Sequence, residues 1–427
     1  MKKINYKLTG DILYQDKLEN GLEVYYLPKP EYNKTYTLFS TNFGSLDTKF
    51  IPRGQEDFEL YPEGIAHFLE HKLFEKEAGD VFQDFGKLGA ASNAFTSFNR
   101  TSYLFSTSDN VYENMEVLLD FVQEPYFTQE SVEREQGIIT QEIQMYQDDA
   151  DWRLYFGLLQ NLYPESPLAD DIAGTPASIR KITAEQLYEN YYTFYHPSNM
   201  TLFVTGPFDV EKMASFVSEN QSKKEFSTAE PVARAPFVAA PVIRESQIQM
   251  DVVNPKFALG FRGQDALPID GKKLLEYRLS NYLLLTMLVG STSKRYEKLY
   301  NSGLIDDSFD YSFEMHDRFH MASFTSDGGN ISELEEILTS ALINFKSDED
   351  FNAEHLELIK KDYLGNYYQS MNSLEFIANQ FSSNIYPDIT FFDYPEILAN
   401  IDIEKIERNV ALFIGQMEKS IFVINPK

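Results

Sequence analysis

The sequence contains no cysteine in 427 residues. This absence excludes a disulfide scaffold, a cysteine-based zinc knuckle and a catalytic thiol. It agrees with a reducing compartment, so we expect a cytoplasmic protein. The basic N-terminus, Met1–Gly10, is not followed by an apolar segment, and no uncharged apolar run is long enough to span a bilayer. The sequence therefore predicts neither a secretory signal nor a membrane-spanning helix.

Positive charge is also scarce. The chain has 37 Lys and Arg against 66 Asp and Glu, which gives a net charge of −29. Phosphate backbones and anionic lipids would be repelled, so we expect no nucleic-acid partner and no membrane partner. The negative charge serves solubility or, alternatively, lines a chamber that selects basic peptides, and composition leaves both readings open.

Two parts of the chain resemble each other at a constant spacing. Ile182–Leu187 matches Ile401–Ile406, and Thr201–Pro207 matches Ser420–Pro426. Each pair reads as a helix followed by an apolar strand that ends at a proline. A spacing shared by both pairs indicates a duplicated domain.

A boundary between the two copies is visible in composition. Residues 218–241 are rich in Ser, Lys, Ala and Pro and lack helical or strand periodicity, which is typical of a linker. We therefore predict a catalytic domain at 1–217, a linker at 218–241 and a homologous domain at 242–427. Strand and helix patterns mix within each copy, so we expect an α+β fold with two antiparallel-rich sheets, each with helices packed on one side.

The most informative motif is His67-Phe-Leu-Glu70-His71, inside an apolar run that predicts a helix. Residues four apart share a helix face, so both imidazoles can reach one metal ion. Glu70 is placed to act on a metal-bound water. This order of residues is typical of a zinc hydrolase. The alternative is a pair of ordinary histidines on an amphipathic helix.

His316 and His320 have the same spacing, with Asp317 between them. The apolar residues around them alternate with period two, which predicts a hairpin with its turn near residues 316–318. In a hairpin the two imidazoles do not converge as on a helix. We do not expect a metal site there.

Two histidines leave zinc short of a protein ligand. Glu135 and Glu142 lie seven residues apart on a predicted helix and therefore share a face. They could supply a ligand and a supporting carboxylate. From spacing alone, two ordinary exposed helix glutamates are the better explanation of the pattern.

Several motifs together resemble the M16 (pitrilysin, insulinase and mitochondrial processing peptidase) family of zinc metallopeptidases. They are Gly64–His71, Ala91–Ser97, Glu135 with Glu142, Tyr163–Pro167, Ile172–Thr175 and Phe194–Met200. The resemblance is dense over the first half and loose over the second. It implies a duplicated metallohydrolase-like unit that forms half of a clamshell.

The resemblance also implies roles for individual residues. One zinc ion per chain would be held by His67, His71 and Glu142, with Glu70 as general base and Glu135 in support. Asn93, Ala94 and Phe95 would belong to an edge strand that pairs with an extended peptide substrate. On physical grounds alone, Asn93 could equally be a turn former before a strand.

The second half departs from the family pattern. Leu279–Leu285, where counterparts of the zinc ligands are expected, offers none. Tyr300 and Asp307 stand about where complete members carry an Arg and a Tyr that contact the substrate. The resemblance therefore implies a dimer, either a heterodimer whose partner supplies the Arg–Tyr pair or a homodimer. We expect a zinc endopeptidase subunit that acts on short or unfolded peptides; the alternatives are a non-catalytic or accessory subunit that retains zinc and a hydrolase of non-peptide substrates.

Overall fold

The computed structural model describes residues 1–316, 318–383 and 386–427. Its strands are β1 Lys2–Tyr6, β2 Asp11–Lys17, β3 Glu23–Pro28, β4 Thr35–Thr41, β5 Lys49–Phe50, β6 Glu59–Leu60, β7 Glu75–Lys76, β8 Gly79–Asp80, β9 Ala91–Thr96, β10 Thr101–Thr107, β11 Met200–Gly206, β12 Glu245–Met250, β13 Lys256–Arg262, β14 Asp310–Met315, β15 His320–Asp327 and β16 Glu418–Pro426.

Its α-helices are α1 Ile65–Leu73, α2 Phe82–Lys87, α3 Val111–Gln123, α4 Gln129–Asp148, α5 Ala150–Leu162, α6 Pro176–Ile179, α7 Ala184–Phe194, α8 Val210–Ser222, α9 Gly271–Val289, α10 Lys294–Asn301, α11 Ile331–Ile343, α12 Ala353–Ser370, α13 Leu374–Ser383, α14 Tyr394–Ala399 and α15 Ile403–Gln416. The predicted α+β class with two homologous sheets is confirmed.

The described residues fall into two compact units. Unit 1 comprises residues 1–145, 170–236 and 370–383, and unit 2 comprises residues 146–169, 237–369 and 384–427. The chain therefore crosses between units more often than one linker requires. Helix α5 belongs to unit 2, and α13 belongs to unit 1. The boundaries drawn from composition stay a prediction.

Unit 1 is built on a seven-stranded sheet in the order β1-β2-β3-β11-β4-β10-β9. Tyr103 of β10 packs against Phe74 at the end of α1 and against Phe121 of α3. Phe203 of β11 lies on the opposite face, because its neighbour Leu202 is in register with Phe39 and, through it, with Tyr103. There Phe203 stacks on Phe381 of α13. A helix from late in the sequence thus covers the second face of this sheet.

Unit 2 repeats the central part of that topology with the order β12-β16-β13-β15-β14. In each unit the late strand is parallel to one neighbour and antiparallel to the other: β11 with β3 and β4, and β16 with β12 and β13. Helices α7 and α15, which precede these strands, begin at equivalent places of the sequence repeat. The helix-then-strand prediction for the repeat is confirmed.

Two predicted elements are divided in the structure. The sequence pattern of residues 91–106 is strand-like, and the structure forms them into the hairpin β9–β10, turned at residues 97–100. The sequence predicts one helix over residues 353–385, whereas the structure has α12 followed by α13. The Ser373 hydroxyl accepts the backbone N–H of Phe376 and starts the second helix. Asn384 and Ile385, at the end of that prediction, lie outside the described residues. The Ser373 hydroxyl bonds the backbone locally, which favours the start of a new helix over the continuation of α12.

Candidate metal centre

Helix α1 is held at its N-terminus by a close backbone contact. Gly64 has a φ of 84°, and a Cβ there would come within 2.4 Å of the Ala173 carbonyl oxygen. Only glycine accepts both the left-handed conformation and the contact. The segment that contains Ala173 therefore sets where α1 begins. Nearly the whole helix is buried, including His67 and Glu70, whereas His71 is half-buried.

Helix α4 brings the two glutamates to α1. Glu135 and Glu142 are 13% and 23% exposed, so they face inward on a helix whose other glutamates lie in solvent. An ion network supports this approach. The carboxylate of Glu75, just after α1, lies 2.5 Å from the ammonium of buried Lys72 and 2.5 Å from the guanidinium of Arg134 on α4. These contacts favour the orientation of α4 in which Glu135 and Glu142 face the histidines.

Three possible ligands converge. Nε2 of His67 lies 3.7 Å from Oε1 of Glu142, and Nε2 of His71 lies 3.5 Å from its Oε2. The three donor atoms all lie within 4.8 Å of one another, and no other such group of His and carboxylate side chains occurs in residues 1–316, 318–383 and 386–427. Bonds of about 2.0–2.2 Å in a tetrahedral site place ligand atoms roughly 3.3–3.6 Å apart. The donor set and its spacing fit zinc.

The orientation of His71 is set by Glu135. Nδ1 of His71 lies 3.0 Å from Oε1 of Glu135, which places the proton on Nδ1 and leaves the Nε2 lone pair toward Glu142. Nδ1 of His67, by contrast, is buried with no hydrogen-bond partner among the described residues. The packing of α1, rather than a hydrogen bond, therefore holds the His67 ring.

The titratable groups differ in the direction of their pKa shifts. Burial, followed by the nearby His71, lowers the pKa of His67 to about 3, so its imidazole is neutral and can donate a lone pair. Burial acts to lower the pKa of His71 as well, but the hydrogen bond to Glu135 and the charges of Glu70 and Glu142 raise it overall. Burial raises the pKa of Glu70 to about 7, against the opposing hydrogen bond from Thr96. A carboxyl group that titrates near neutrality suits a general base.

The predicted substrate strand is β9, which lies at the edge of the unit 1 sheet. Asn93 is inside this strand and is not a turn residue. Its Oδ1 accepts the backbone N–H of Ala94 at 2.9 Å. The guanidinium of Arg100 lies 5.0 Å from the centre of the Phe95 ring. Strand β9 therefore lies at an accessible edge of the sheet, where the side chain of Asn93 covers the N–H of Ala94.

The structure brings together His67, His71, Glu142, Glu70 and Glu135. Sequence reasoning did not single out Thr96, whose hydroxyl contacts Glu70 at 2.5 Å. Thr96 follows Phe95 in the predicted strand, but nothing in the sequence relates it to Glu70. Only the packing of α1 on β9 shows the contact.

Unit 2 has no equivalent centre among its described residues. The stretch from Leu279 to Leu285 lies in α9 and is largely buried apolar surface. The hairpin predicted around His316 is confirmed by the pairing of β14 with β15, and Asp317 lies outside the described residues. His320 instead bonds Asp265 at 2.8 Å.

Comparison with known proteins decides the family. Residues 56–176 match the family described as Insulinase (Peptidase family M16), and residues 181–363 match the one described as Peptidase M16 inactive domain. The chain is 45% identical to a Bacillus subtilis (strain 168) protein named Uncharacterized zinc protease YmfH, with 100% of both chains covered. The chain belongs to the M16 peptidase family. In this M16 chain, helix α1 carries His67, Glu70 and His71, and helix α4 carries Glu135 and Glu142.

Other M16 proteins agree with this assignment. A Bacillus subtilis (strain 168) protein named Putative zinc protease AlbF is 32% identical over 46% of this chain and 45% of its own. A crystal structure described as that of a "putative M16-like peptidase from Alicyclobacillus acidocaldarius" matches with a TM-score of 0.91 and 32% identity, covering 98% of this chain and 99% of that one. The first half of the periplasmic protease PqqL from Escherichia coli shares the fold, with a TM-score of 0.72 at 20% identity over 100% of this chain and 93% of that one.

No helix in the described parts of this M16 chain combines the length and hydrophobicity needed to cross a membrane.

Proposed function

We propose that this protein is the zinc-binding, catalytic subunit of an endopeptidase that hydrolyses short or unfolded peptides. The observation that carries the proposal is the convergence of His67, His71 and Glu142 beside the buried carboxylate of Glu70. The names of the related zinc proteases support it. A purely structural zinc site needs ligands but no adjacent base, so Glu70 favours catalysis over a structural role.

His67, His71 and Glu142 would hold one zinc ion per chain. Zinc bound there supplies a Lewis acid, which polarises a peptide carbonyl and lowers the pKa of water toward neutrality. Glu135 keeps the His71 ring in the orientation that a ligand needs. Glu70 takes a proton from the attacking water and then delivers it to the amine of the departing peptide. The edge strand β9, through Asn93, Ala94 and Phe95, would align the substrate backbone by adding it to the sheet.

A partner chain would complete the substrate site. Tyr300 and Asp307, at the positions expected for an Arg–Tyr pair, bond each other at 3.1 Å on the surface. Arg295, the nearest arginine in the sequence, is occupied by the Leu288 carbonyl and the Asp348 carboxylate. PqqL is about twice as long, since this chain covers 48% of it and 93% of its first half. We propose that the active protein is a dimer, formed by this chain with a related chain or by two copies of this chain. The two chains together would correspond to one chain of a longer member such as PqqL.

The test compares wild type with Glu70→Gln. We expect both proteins to bind one zinc per chain in metal analysis. The wild type, assayed with and without a co-expressed related chain, should cleave an internally quenched peptide library. The variant should lose about 10²-fold or more of that rate. Full activity in Glu70→Gln, or a wild type without zinc, contradicts the proposal.

A further inference from the structure

Thr96 makes a direct contact with the Glu70 carboxylate. Its Oγ1 donates to Oε2 of Glu70 at 2.5 Å, and this is the one hydrogen bond made to that carboxylate within the described residues. A hydroxyl-to-carboxylate bond of this length belongs to the stronger class of hydrogen bonds. Glu70 is buried, so this bond replaces water that the carboxylate has lost.

Thr96 is held by the pairing of β9 with β10. Thr101 is the cross-strand partner of Thr96, and their hydroxyl oxygens lie 3.3 Å apart. Thr101 donates its proton to the Phe43 carbonyl at 2.9 Å, so it has none to donate to Thr96. The Thr96 proton is left for the Glu70 carboxylate.

We propose that Thr96 is a positioning residue that orients Glu70 for proton transfer; this inference rests on the proposed function. A glutamate side chain has three rotatable bonds, and fixing Oε2 leaves Oε1 as the atom that can accept a proton. Thr96 is also the last residue of β9. A peptide that adds to β9 would thus dock on the strand that orients the base. Substrate alignment and base alignment share one element, as near-attack geometry requires.

The first experiment measures coupling without any need for activity. Unfolding by urea, in the presence of a chelator, is compared for wild type, Thr96→Val, Glu70→Ala and the double variant. We expect Thr96→Val to lower the folded-to-unfolded ratio about tenfold when Glu70 is present and much less when it is absent. The matched control is Thr37→Val, because the Thr37 hydroxyl is buried on β4 with no hydrogen-bond partner among the described residues. Its effect should be the same in both backgrounds.

The second experiment separates positioning from binding. In the assembly that cleaves the quenched peptide library, Thr96→Val should keep its zinc, lower kcat about tenfold or more and change KM less than threefold. Thr96→Ser, which keeps the hydroxyl, should restore kcat. Equal effects of Thr96→Val with and without Glu70, or an unchanged kcat, would overturn the assignment. A wild type that cleaves nothing overturns the proposed function instead, and the unfolding comparison then decides the role of Thr96 alone. Glu70→Leu, which also lacks an acceptor, replaces Glu70→Ala if the latter does not fold.

Discussion

Nδ1 of His71 lies 3.0 Å from Oε1 of Glu135, two helical turns before Glu142 on the same helix. One helix, α4, thus supplies both a possible ligand and the group that orients another ligand. The affinity of the centre for zinc therefore depends on how α4 sits against α1.

Glu135→Ala should weaken zinc binding about 10–100-fold, because carboxylates that hold a ligating imidazole typically contribute this much. Competition with a chromogenic chelator measures the change. Glu130→Ala is the matched control, since Glu130 is exposed in the first turn of the same helix and should bind as wild type does. An unchanged affinity in Glu135→Ala would show that the His71 ring is oriented by packing alone.

Zinc should stabilise the folded chain. At free zinc about 100 times the Kd, mass action adds about 2.7 kcal/mol, which raises Tm relative to the chelated protein. Glu142→Gln should lose most of this rise, whereas Asp148→Asn, at the exposed end of α4, should keep it. Differential scanning calorimetry with and without a chelator checks this, and an equal rise in all three proteins would exclude Glu142 as a ligand.

Glu75→Gln should destabilise the zinc-free chain by about 1–2 kcal/mol at neutral pH, because it leaves the fully buried Lys72 without its carboxylate partner. Burial acts to raise the pKa of Glu75, but its bonds and charge interactions with Lys72 and Arg134 lower it overall. A lowered folded-state pKa contributes stability above the unfolded value, about 4.3, and loses it as the pH falls through the folded value. The difference between variant and wild type in urea unfolding should therefore shrink in acid. A constant difference across this range would argue against the charge interaction.

The purified single chain should bind zinc but cleave peptides poorly. Addition of a related chain that lacks the two histidines and the glutamate should restore cleavage, because Tyr300 and Asp307 cannot replace an Arg–Tyr pair in charge or reach. Peptide turnover is measured with each chain alone and with the mixture. Full turnover by the single chain at a concentration where it is monomeric would refute the need for a partner.

The sequence determined a good deal by local rules. The i to i+4 spacing of His67 and His71 on an apolar helix, and the seven-residue spacing of Glu135 and Glu142, depend only on helix geometry, so both pairs lie on single faces as expected. The repeated helix and strand were readable for the same reason, since hydrophobic periodicity is local. The missing ligands in α9 could also be read directly.

Tertiary structure alone decided which faces meet. Whether Glu142 reaches the histidines depends on the approach of α4 to α1, which involves Arg134, Glu75 and Lys72 and which spacing does not encode. The contact of Thr96 with Glu70 joins a strand to a helix across 26 residues of chain. The assignment of α5 to unit 2 and of α13 to unit 1 likewise follows from long-range packing. Local propensity specifies an element and its faces, whereas the burial of those faces against distant partners selects the contacts from which this site is built.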